Sequence, residues 1–192
     1  MATEYELKYR ATEEALQAMD AALPGHPQRY QMRTTYYDTP DRALSKRRIT
    51  LRRRMENEVS VCTLKAPAAL GRAEFELNCD TIEAAIPELC KLSGVPDLLP
   101  LLEKGVEPVC GARFTRHART LCFENTVLEI ALDRGVLLGG GKELPLCEAE
   151  VELKAGEPRL AAAYGLQLSL AYGLEPESKS KFKRAMALAT GE

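Results

Sequence analysis

The feature that most constrains the fold is the alternation of charged and apolar residues in short segments. The N-terminal segment reads Glu-Tyr-Glu-Leu-Lys. In a β-strand successive side chains point to opposite faces, so Glu4, Glu6 and Lys8 would share one face. Tyr5 and Leu7 would take the other face. The charged face of such a strand either meets solvent or lines a polar interior.

The same alternation recurs in several later segments. Residues predicted to share a charged face are Arg52 with Arg54, Arg72 with Glu74 and Glu76, Glu129 with Asp133, and Glu148 with Glu150, Glu152 and Lys154. For a single strand a solvated face is the ordinary interpretation. The alternation recurs in many strands, and most of these strands are mainly acidic or mainly basic. This recurrence favours a closed sheet whose charged side chains point inward and whose apolar side chains pack against helices on the outside.

Buried charges are costly unless they are paired or bound to a ligand. A polyanion held by Arg and Lys, with a divalent metal held by carboxylates, would meet that need.

The chain as a whole predicts an α+β fold, an eight-stranded antiparallel β-barrel with helices packed outside, in a single domain over residues 1–192. The predicted strands cover about residues 3–10, 28–38, 50–55, 59–66, 72–79, 107–117, 119–124, 126–133 and 145–154. The predicted helices cover about residues 13–23, 81–92, 97–103, 157–170 and 179–188.

Composition excludes several classes of protein. A net charge of −2 gives no reason to expect binding to nucleic acid or to a membrane surface. No apolar run is long enough to span a bilayer, and the charged N-terminal segment is unlike a signal peptide. The six Cys form no C-x-x-C pair, so we expect reduced thiols and a cytoplasmic protein.

Taken together and in order, several short motifs resemble the CYTH superfamily, the triphosphate tunnel metalloenzymes. The motifs are Glu4-x-Glu6-x-Lys8, Tyr36-Tyr-Asp-Thr-Pro40, Leu51-Arg-Arg-Arg54, Thr63-Leu-Lys65, Glu74-Phe-Glu76, Phe114-Thr-Arg116, Glu129-Ile-Ala-Leu-Asp133, Glu150-Val-Glu152 with Lys154, and Ser180-Lys-Phe182. Their spelling is closest to that of bacterial inorganic triphosphatases. The resemblance covers nearly the whole chain.

The resemblance implies a tunnel in which basic residues hold a triphosphate and acidic residues hold Mg²⁺ or Mn²⁺. By motif position, the implied metal ligands are Glu4, Glu6, Glu76, Asp133, Glu150 and Glu152. Glu148 matches less well, because the paired-glutamate motif falls at 150 and 152. The implied substrate-binding residues are Lys8, Arg52, Arg54, Lys65, Arg116 and Lys181, of which Lys8, Arg52 and Arg54 are also expected to be catalytic. Lys8 could be a general base, an ion-pair partner or a phosphate contact.

The leading functional hypothesis is metal-dependent hydrolysis of inorganic tripolyphosphate to pyrophosphate and phosphate. Thiamine triphosphatase is an alternative, although the chain has no Trp to stack on the thiamine rings. Nucleoside triphosphatase, adenylate cyclase and a non-catalytic polyphosphate-binding module also remain open. The expected partner is a small-molecule triphosphate, and a homodimer is compatible with the sequence.

Three residues are expected to lie apart from the chemistry. Arg113 and His117 have the opposite parity to Arg116, so their side chains should face away from the tunnel. Asp38, in Asp-Thr-Pro, is expected to fix a turn.

Overall fold

The computed structural model describes residues 5–69 and 71–191, and these form nine strands and six helices. The strands are β1 (Glu6–Arg10), β2 (Gln28–Asp38), β3 (Thr50–Glu56), β4 (Val59–Pro67), β5 (Arg72–Asn78), β6 (Glu107–Phe123), β7 (Thr126–Gly139), β8 (Lys142–Ala155) and β9 (Glu175–Pro176). The helices are α1 (Glu13–Ala22), α2 (Ala43–Lys46), α3 (Ile82–Ser93), α4 (Leu98–Leu102), α5 (Pro158–Tyr172) and α6 (Lys181–Thr190).

All nine strands belong to one antiparallel sheet, in the order β5-β4-β3-β2-β6-β7-β8-β1-β9. Within the described ranges no strand pair closes the sheet by hydrogen bonds. The sheet is nevertheless curled, as shown by side chains from β1 and from the distant strand β5 that line the same cavity. The predicted fold is therefore confirmed as a curled, tunnel-like antiparallel sheet with helices.

Several details differ from the sequence prediction. Helix α2 was not predicted, and β7 and β8 extend beyond the predicted ranges 126–133 and 145–154. Residues 107–124 were predicted as two strands but form the single strand β6, which continues to Phe123. The two-residue strand β9 was not predicted, because a segment that short carries no periodic signal. It pairs with β1, where Tyr9 lies opposite Pro176.

Two apolar clusters join the outer face of the sheet to helices α1–α5. Leu51 and Leu64 pack with α2, α3 and α4 in one cluster. Ile130 and Val151 pack with α1 and α5 in the other. These residues alternate with the charged residues of the same strands, so the outer packing directs the charges inward.

Helix α6 instead packs on the inner face. Its Phe182 and Ala185 belong to a third apolar cluster that includes Tyr36 and Phe114. The backbone of α6 approaches β7 so closely that a Cβ on Gly139 would lie 2.3 Å from the carbonyl oxygen of Ala185. The helix therefore covers part of the inner face of the sheet, whereas the sequence analysis placed the helices outside.

The start of α6 is fixed by a cap. The side chain of Ser180 accepts a hydrogen bond from the backbone N–H of Lys183 at 3.2 Å. This places Lys181, the first residue of the helix, against the charged inner surface. Over the described parts of the chain, no helix is long and apolar enough to cross a membrane.

Candidate active site

A cavity of about 360 Å³ opens on the inner face of the sheet. The described residues that line it include eight basic and six acidic ones: Lys8, Arg52, Arg54, Lys65, Arg72, Arg116, Lys154 and Lys181, with Glu6, Glu56, Glu74, Glu76, Glu150 and Glu152. Its lining thus carries a positive excess, although the whole chain carries a net charge of −2. This arrangement favours an anionic ligand.

One side of the cavity is the basic wall, which we define as Arg52, Arg54 and Lys65 on β3 and β4. Glu74 of β5 bridges two of its members. Arg52 Nη2 lies 3.2 Å from Glu74 Oε1, and Lys65 Nζ lies 2.7 Å from Glu74 Oε2. The carboxylate holds both cations towards the cavity.

Arg54 has the least solvent-exposed side chain of the basic wall. Its side chain is only 12% exposed, and the nearest carboxylate oxygen among the contacts of residues 5–69 and 71–191, on Glu56, is 3.7 Å from Nη1. Its Nε donates a hydrogen bond to Thr34 Oγ1 at 3.2 Å. Burial, together with the charges of Arg52 and Arg116, lowers the pKa of Arg54 to about 10. The positive charge here is thus incompletely neutralised by the protein.

The opposite side holds three buried carboxylates, Asp133 of β7 and Glu148 and Glu150 of β8, which we call the inner acidic cluster. Asp133 lies directly across from Glu148 in the strand pairing. One oxygen from each of the three residues lies within 4.8 Å of the others. The side chains of these residues point to the same face of two paired strands. The pairing therefore brings together residues that are up to 17 positions apart in the sequence, as Asp133 and Glu150 are.

Three basic side chains neutralise this cluster. Arg116 contacts Asp133 through two parallel hydrogen bonds of 2.7 Å and also donates to Glu150. Lys181 Nζ lies 2.8 Å from Asp133 Oδ2 and 2.6 Å from Glu150 Oε1, and it also donates to Glu148. Arg184, one turn further along α6, donates to Glu148.

The cluster shifts the pKa values of its members in opposite directions. Burial, reinforced by the charge of Glu150, raises the pKa of Glu148 to about 7 against the opposing effect of Lys181. Burial also disfavours the charge on Glu150, but Arg116 and Lys181 outweigh it and hold the pKa of Glu150 well below its usual range. For Lys181 the three carboxylates outweigh burial and raise the pKa of the ammonium group.

Two residues of the N-terminal motif, Glu6 and Lys8, lie beside this cluster on β1. Glu6 is paired across the strands with Glu152, and Lys8 with Glu150. Lys8 Nζ is 3.2 Å from Glu6 Oε2, and Lys154 Nζ is 2.8 Å from Glu152 Oε1. The structure therefore places Glu6, Lys8 and Glu152 on the cavity, next to the inner acidic cluster but outside its three-carboxylate group.

Glu76 lies with the basic wall. Its Oε1 accepts a hydrogen bond from Thr63 Oγ1 at 2.8 Å and lies 3.4 Å from Arg52 Nη2. Burial opposes ionisation, but the Thr63 hydrogen bond and the Arg52 charge prevail and lower the pKa of Glu76. In this structure Glu76 holds Arg52 rather than joining the three clustered carboxylates.

Every other predicted site residue within the described ranges lines the cavity or belongs to the inner acidic cluster. Glu4 lies outside the described residues. Glu148, which matched the metal-ligand motif less well than the other carboxylates, is a full member of the cluster. Arg184 was missed, although its position three residues after Lys181 puts both side chains on one face of α6.

Asp38, Arg113 and His117, which were expected to lie away from the active site, do not line the cavity. His117 Nδ1 is 2.7 Å from Asp20 Oδ2 of the outer helix α1. Arg113 is 60% exposed and pairs with Glu143. The carboxylate of Asp38 accepts hydrogen bonds from backbone N–H groups of the following turn, including that of Leu44 at 2.9 Å.

The inner acidic cluster has a donor set that fits a divalent cation. Carboxylate oxygens are the ligands that Mg²⁺ and Mn²⁺ prefer, and three of them converge here. The structure contains no His or Cys in the group, which disfavours a softer metal such as zinc.

Comparison with known proteins identifies the family. The CYTH domain family profile matches residues 2–186. The inorganic triphosphatase of Haemophilus influenzae is 30% identical over 159 residues, which cover 81% of this chain and 45% of that protein. The chain thus spans about half the length of this curated relative.

Solved structures share the fold at low sequence identity. A Hippeastrum protein, described as a candidate adenylyl cyclase with a dominant triphosphatase activity, aligns with a TM-score of 0.66 and 21% identity over 99% of this chain and 97% of its own. A protein from Pyrococcus horikoshii aligns with a TM-score of 0.63 and 21% identity over 98% of this chain and 99% of its own. The match over residues 2–186 and the shared curled sheet lead to one conclusion: the chain belongs to the CYTH domain family.

Proposed function

We propose that the protein hydrolyses inorganic tripolyphosphate to pyrophosphate and phosphate in the inner cavity, with a divalent metal as cofactor. The observation that carries this proposal is the cavity itself, whose described lining has eight basic and six acidic residues, and in which Arg54 is only 12% exposed and lies 3.7 Å from the carboxylate of Glu56. A bound polyanion would supply the missing negative charge. The relative from Haemophilus influenzae, an inorganic triphosphatase, supports the same assignment.

The basic residues would bind the substrate and stabilise the charge that develops during phosphoryl transfer. Arg52 and Arg54 offer rigid forks for phosphate oxygens, and Lys65 offers a point charge. Phosphoryl transfer depends mainly on positioning and on charge neutralisation, which a preorganised wall of cations supplies. In the reaction, water attacks the terminal phosphorus and the bond to the bridging oxygen breaks, which releases pyrophosphate.

The proton of the attacking water needs an acceptor on the cavity surface. Lys8 and Glu6 form an ion pair of 3.2 Å on that surface, beside the inner acidic cluster. We propose that this pair accepts the proton. Lys8 would accept it if it acts as the general base in its deprotonated form, and the Glu6 carboxylate would accept it if Lys8 is a phosphate contact; the choice stays a prediction. A Lys8→Ala variant separates the two, because loss of a base lowers kcat more than it raises KM, whereas loss of a uniform phosphate contact mainly raises KM.

The inner acidic cluster would hold the metal. Asp133, Glu148 and Glu150 would supply its oxygen ligands, and Glu6 and Glu152 lie next to them on the cavity. A divalent ion bound there supplies positive charge that polarises the phosphate oxygens. Both Mg²⁺ and Mn²⁺ take oxygen ligands of this kind.

One observation favours a second candidate, an organic triphosphate. A second cavity of about 510 Å³ adjoins the first and shares Thr50, Arg72, Ser180 and Phe182 with it. Met186 and other apolar residues contribute to its lining. An organic group attached to the triphosphate could occupy this second cavity while its phosphates occupy the first.

A single assay tests both candidates. Phosphate release is measured from tripolyphosphate, ATP and thiamine triphosphate, each with Mg²⁺, Mn²⁺ or EDTA, beside the Arg54→Met variant. The expected result is rapid release from tripolyphosphate, which EDTA abolishes and the Arg54→Met substitution strongly lowers. Preference for ATP or thiamine triphosphate would favour the second candidate. Tight tripolyphosphate binding without release from any substrate would make the protein a binding module.

A further inference from the structure

The ammonium group of Lys181 occupies the centre of the inner acidic cluster. Its three N–H groups face three carboxylates: Asp133 Oδ2 at 2.8 Å, Glu150 Oε1 at 2.6 Å and Glu148, to which it also donates. The Lys181 side chain is only 7% exposed. The oxygens that converge on Lys181 belong to the same three residues that would ligate a divalent cation.

We propose that Lys181 is an internal competitor of the metal at the inner acidic cluster. One ammonium ion and one divalent cation cannot occupy the same oxygens, so metal binding displaces Lys181. The displaced side chain then enters the cavity, where it can contact the substrate. This inference rests on the proposed metal-dependent function.

The position of Lys181 makes such an exchange feasible. It is the first residue of α6, so its side chain leaves the helix at the edge of the cavity that it also lines. A lysine side chain has four flexible carbons, which allow the charge to move while the helix stays in place. The Ser180 cap and the packing of Phe182 against Tyr36, with ring centroids 5.1 Å apart, hold α6 independently of the Lys181 charge.

Charge balance gives the exchange a consequence for substrate binding. With its carboxylates ionised, the cluster carries three negative charges against the three positive charges of Arg116, Lys181 and Arg184. A divalent cation in place of the ammonium group leaves the metal-bound cluster positive and adds a freed lysine to the cavity. Metal and triphosphate should therefore bind cooperatively, because each favours the state in which Lys181 has left the carboxylates.

The test measures Mn²⁺ affinity by electron paramagnetic resonance in the absence of any phosphate. We expect Lys181→Met to bind Mn²⁺ at least tenfold more tightly than the wild-type protein. Lys183→Met, which removes an exposed charge of the same helix, should leave the affinity unchanged. Arg184→Met removes a charge that contacts Glu148 but neither Asp133 nor Glu150, and that also lies 3.9 Å from Glu177, so it should give a smaller gain. Unchanged affinity in Lys181→Met, or an equal gain in Arg184→Met, would overturn the proposal.

Thermal unfolding provides a second readout in case Lys181→Met folds poorly. Lys181→Gln keeps two hydrogen-bond donors but no charge, so it should retain the fold at reduced stability. Added Mn²⁺ should raise its Tm by more than it raises that of the wild-type protein, since the metal replaces the missing cation. An equal or smaller rise would contradict the exchange. Both measurements omit substrate, so they give an answer even if tripolyphosphate is not hydrolysed.

Discussion

The two sides of the cavity neutralise their charges differently. On the acidic side, three carboxylates meet Arg116, Lys181 and Arg184 at direct hydrogen-bonding distance. On the basic side, Arg54 has no carboxylate oxygen closer than 3.7 Å among the contacts of the described residues. The acidic side is thus satisfied internally, whereas the basic side retains unbalanced positive charge.

This difference suggests how each ligand is received. An anion meets a wall whose cations are already in place and repel one another, so binding relieves an existing cost. A cation meets carboxylates that are already occupied, so binding must displace a side chain.

The largest effect is expected from Arg54→Met. Loss of a charge-stabilising group at the reacting phosphates should lower kcat/KM for tripolyphosphate by roughly 10²–10³-fold. Stability should be retained or increased, because the substitution removes a buried cation that neighbouring arginines disfavour. Steady-state kinetics and urea unfolding check the two parts. Equal losses of activity and stability would mean that Arg54 is merely structural.

Glu150→Gln should weaken both metal binding and turnover. Loss of a group that only orients a metal ligand lowers metal affinity by roughly 10–100-fold. Removal of a charged oxygen ligand should lower the affinity by at least as much. Mn²⁺ titration of the variant, beside tripolyphosphate hydrolysis at saturating metal, measures the effect. Wild-type Mn²⁺ affinity in Glu150→Gln would remove Glu150 from the metal site.

The pH dependence of stability tests the acidic side. The folded-state pKa of Glu148, about 7, lies above the ordinary glutamate value of 4.5. The folded protein therefore holds this proton more tightly, and the associated stability is present below pH 4.5 and is lost as the pH rises through about 7. Relative to Glu148→Gln, the wild-type free energy of unfolding should fall by roughly 1–3 kcal/mol across this window. Parallel pH profiles for the two metal-free proteins would contradict the shift.

The smallest effect is expected outside the cavity. Arg113 and Glu143 form an exposed pair of 3.2 Å on the outer side. Arg113→Met should change the free energy of unfolding by less than about 0.5 kcal/mol and leave kcat/KM unchanged. Because it also removes an arginine, it serves as the matched control for Arg54→Met. A large loss of activity in this control would mean that net charge, rather than the basic wall, governs substrate binding.

The inner face of the sheet could be predicted from the sequence because strand parity is a local property. Arg52, Arg54, Asp133 and Glu150 were assigned to one face from alternation alone, and the structure places them around the cavity. The same parity placed Arg113 and His117 outside. The alternation of side chains between the two faces of a strand does not depend on how the strands are arranged in the fold.

The partners of those residues could not be predicted in the same way. Lys181 meets three carboxylates because α6 packs inside the sheet, and the amphipathic pattern of ten residues does not say which face of a sheet a helix will cover. The convergence of Asp133 and Glu148 depends on the register between β7 and β8. Glu148 was therefore undervalued by motif position, and Arg184 was missed.

The most direct test of the account is a crystal structure of the protein with Mn²⁺ and tripolyphosphate, with the metal located by anomalous scattering. We predict a manganese peak among Asp133, Glu148 and Glu150, and phosphate oxygens in contact with Arg52 and Arg54. Lys181 should be turned from the carboxylates towards the substrate. A manganese peak held by Glu6 and Glu152 alone, with Lys181 still bound to the three carboxylates, would contradict it.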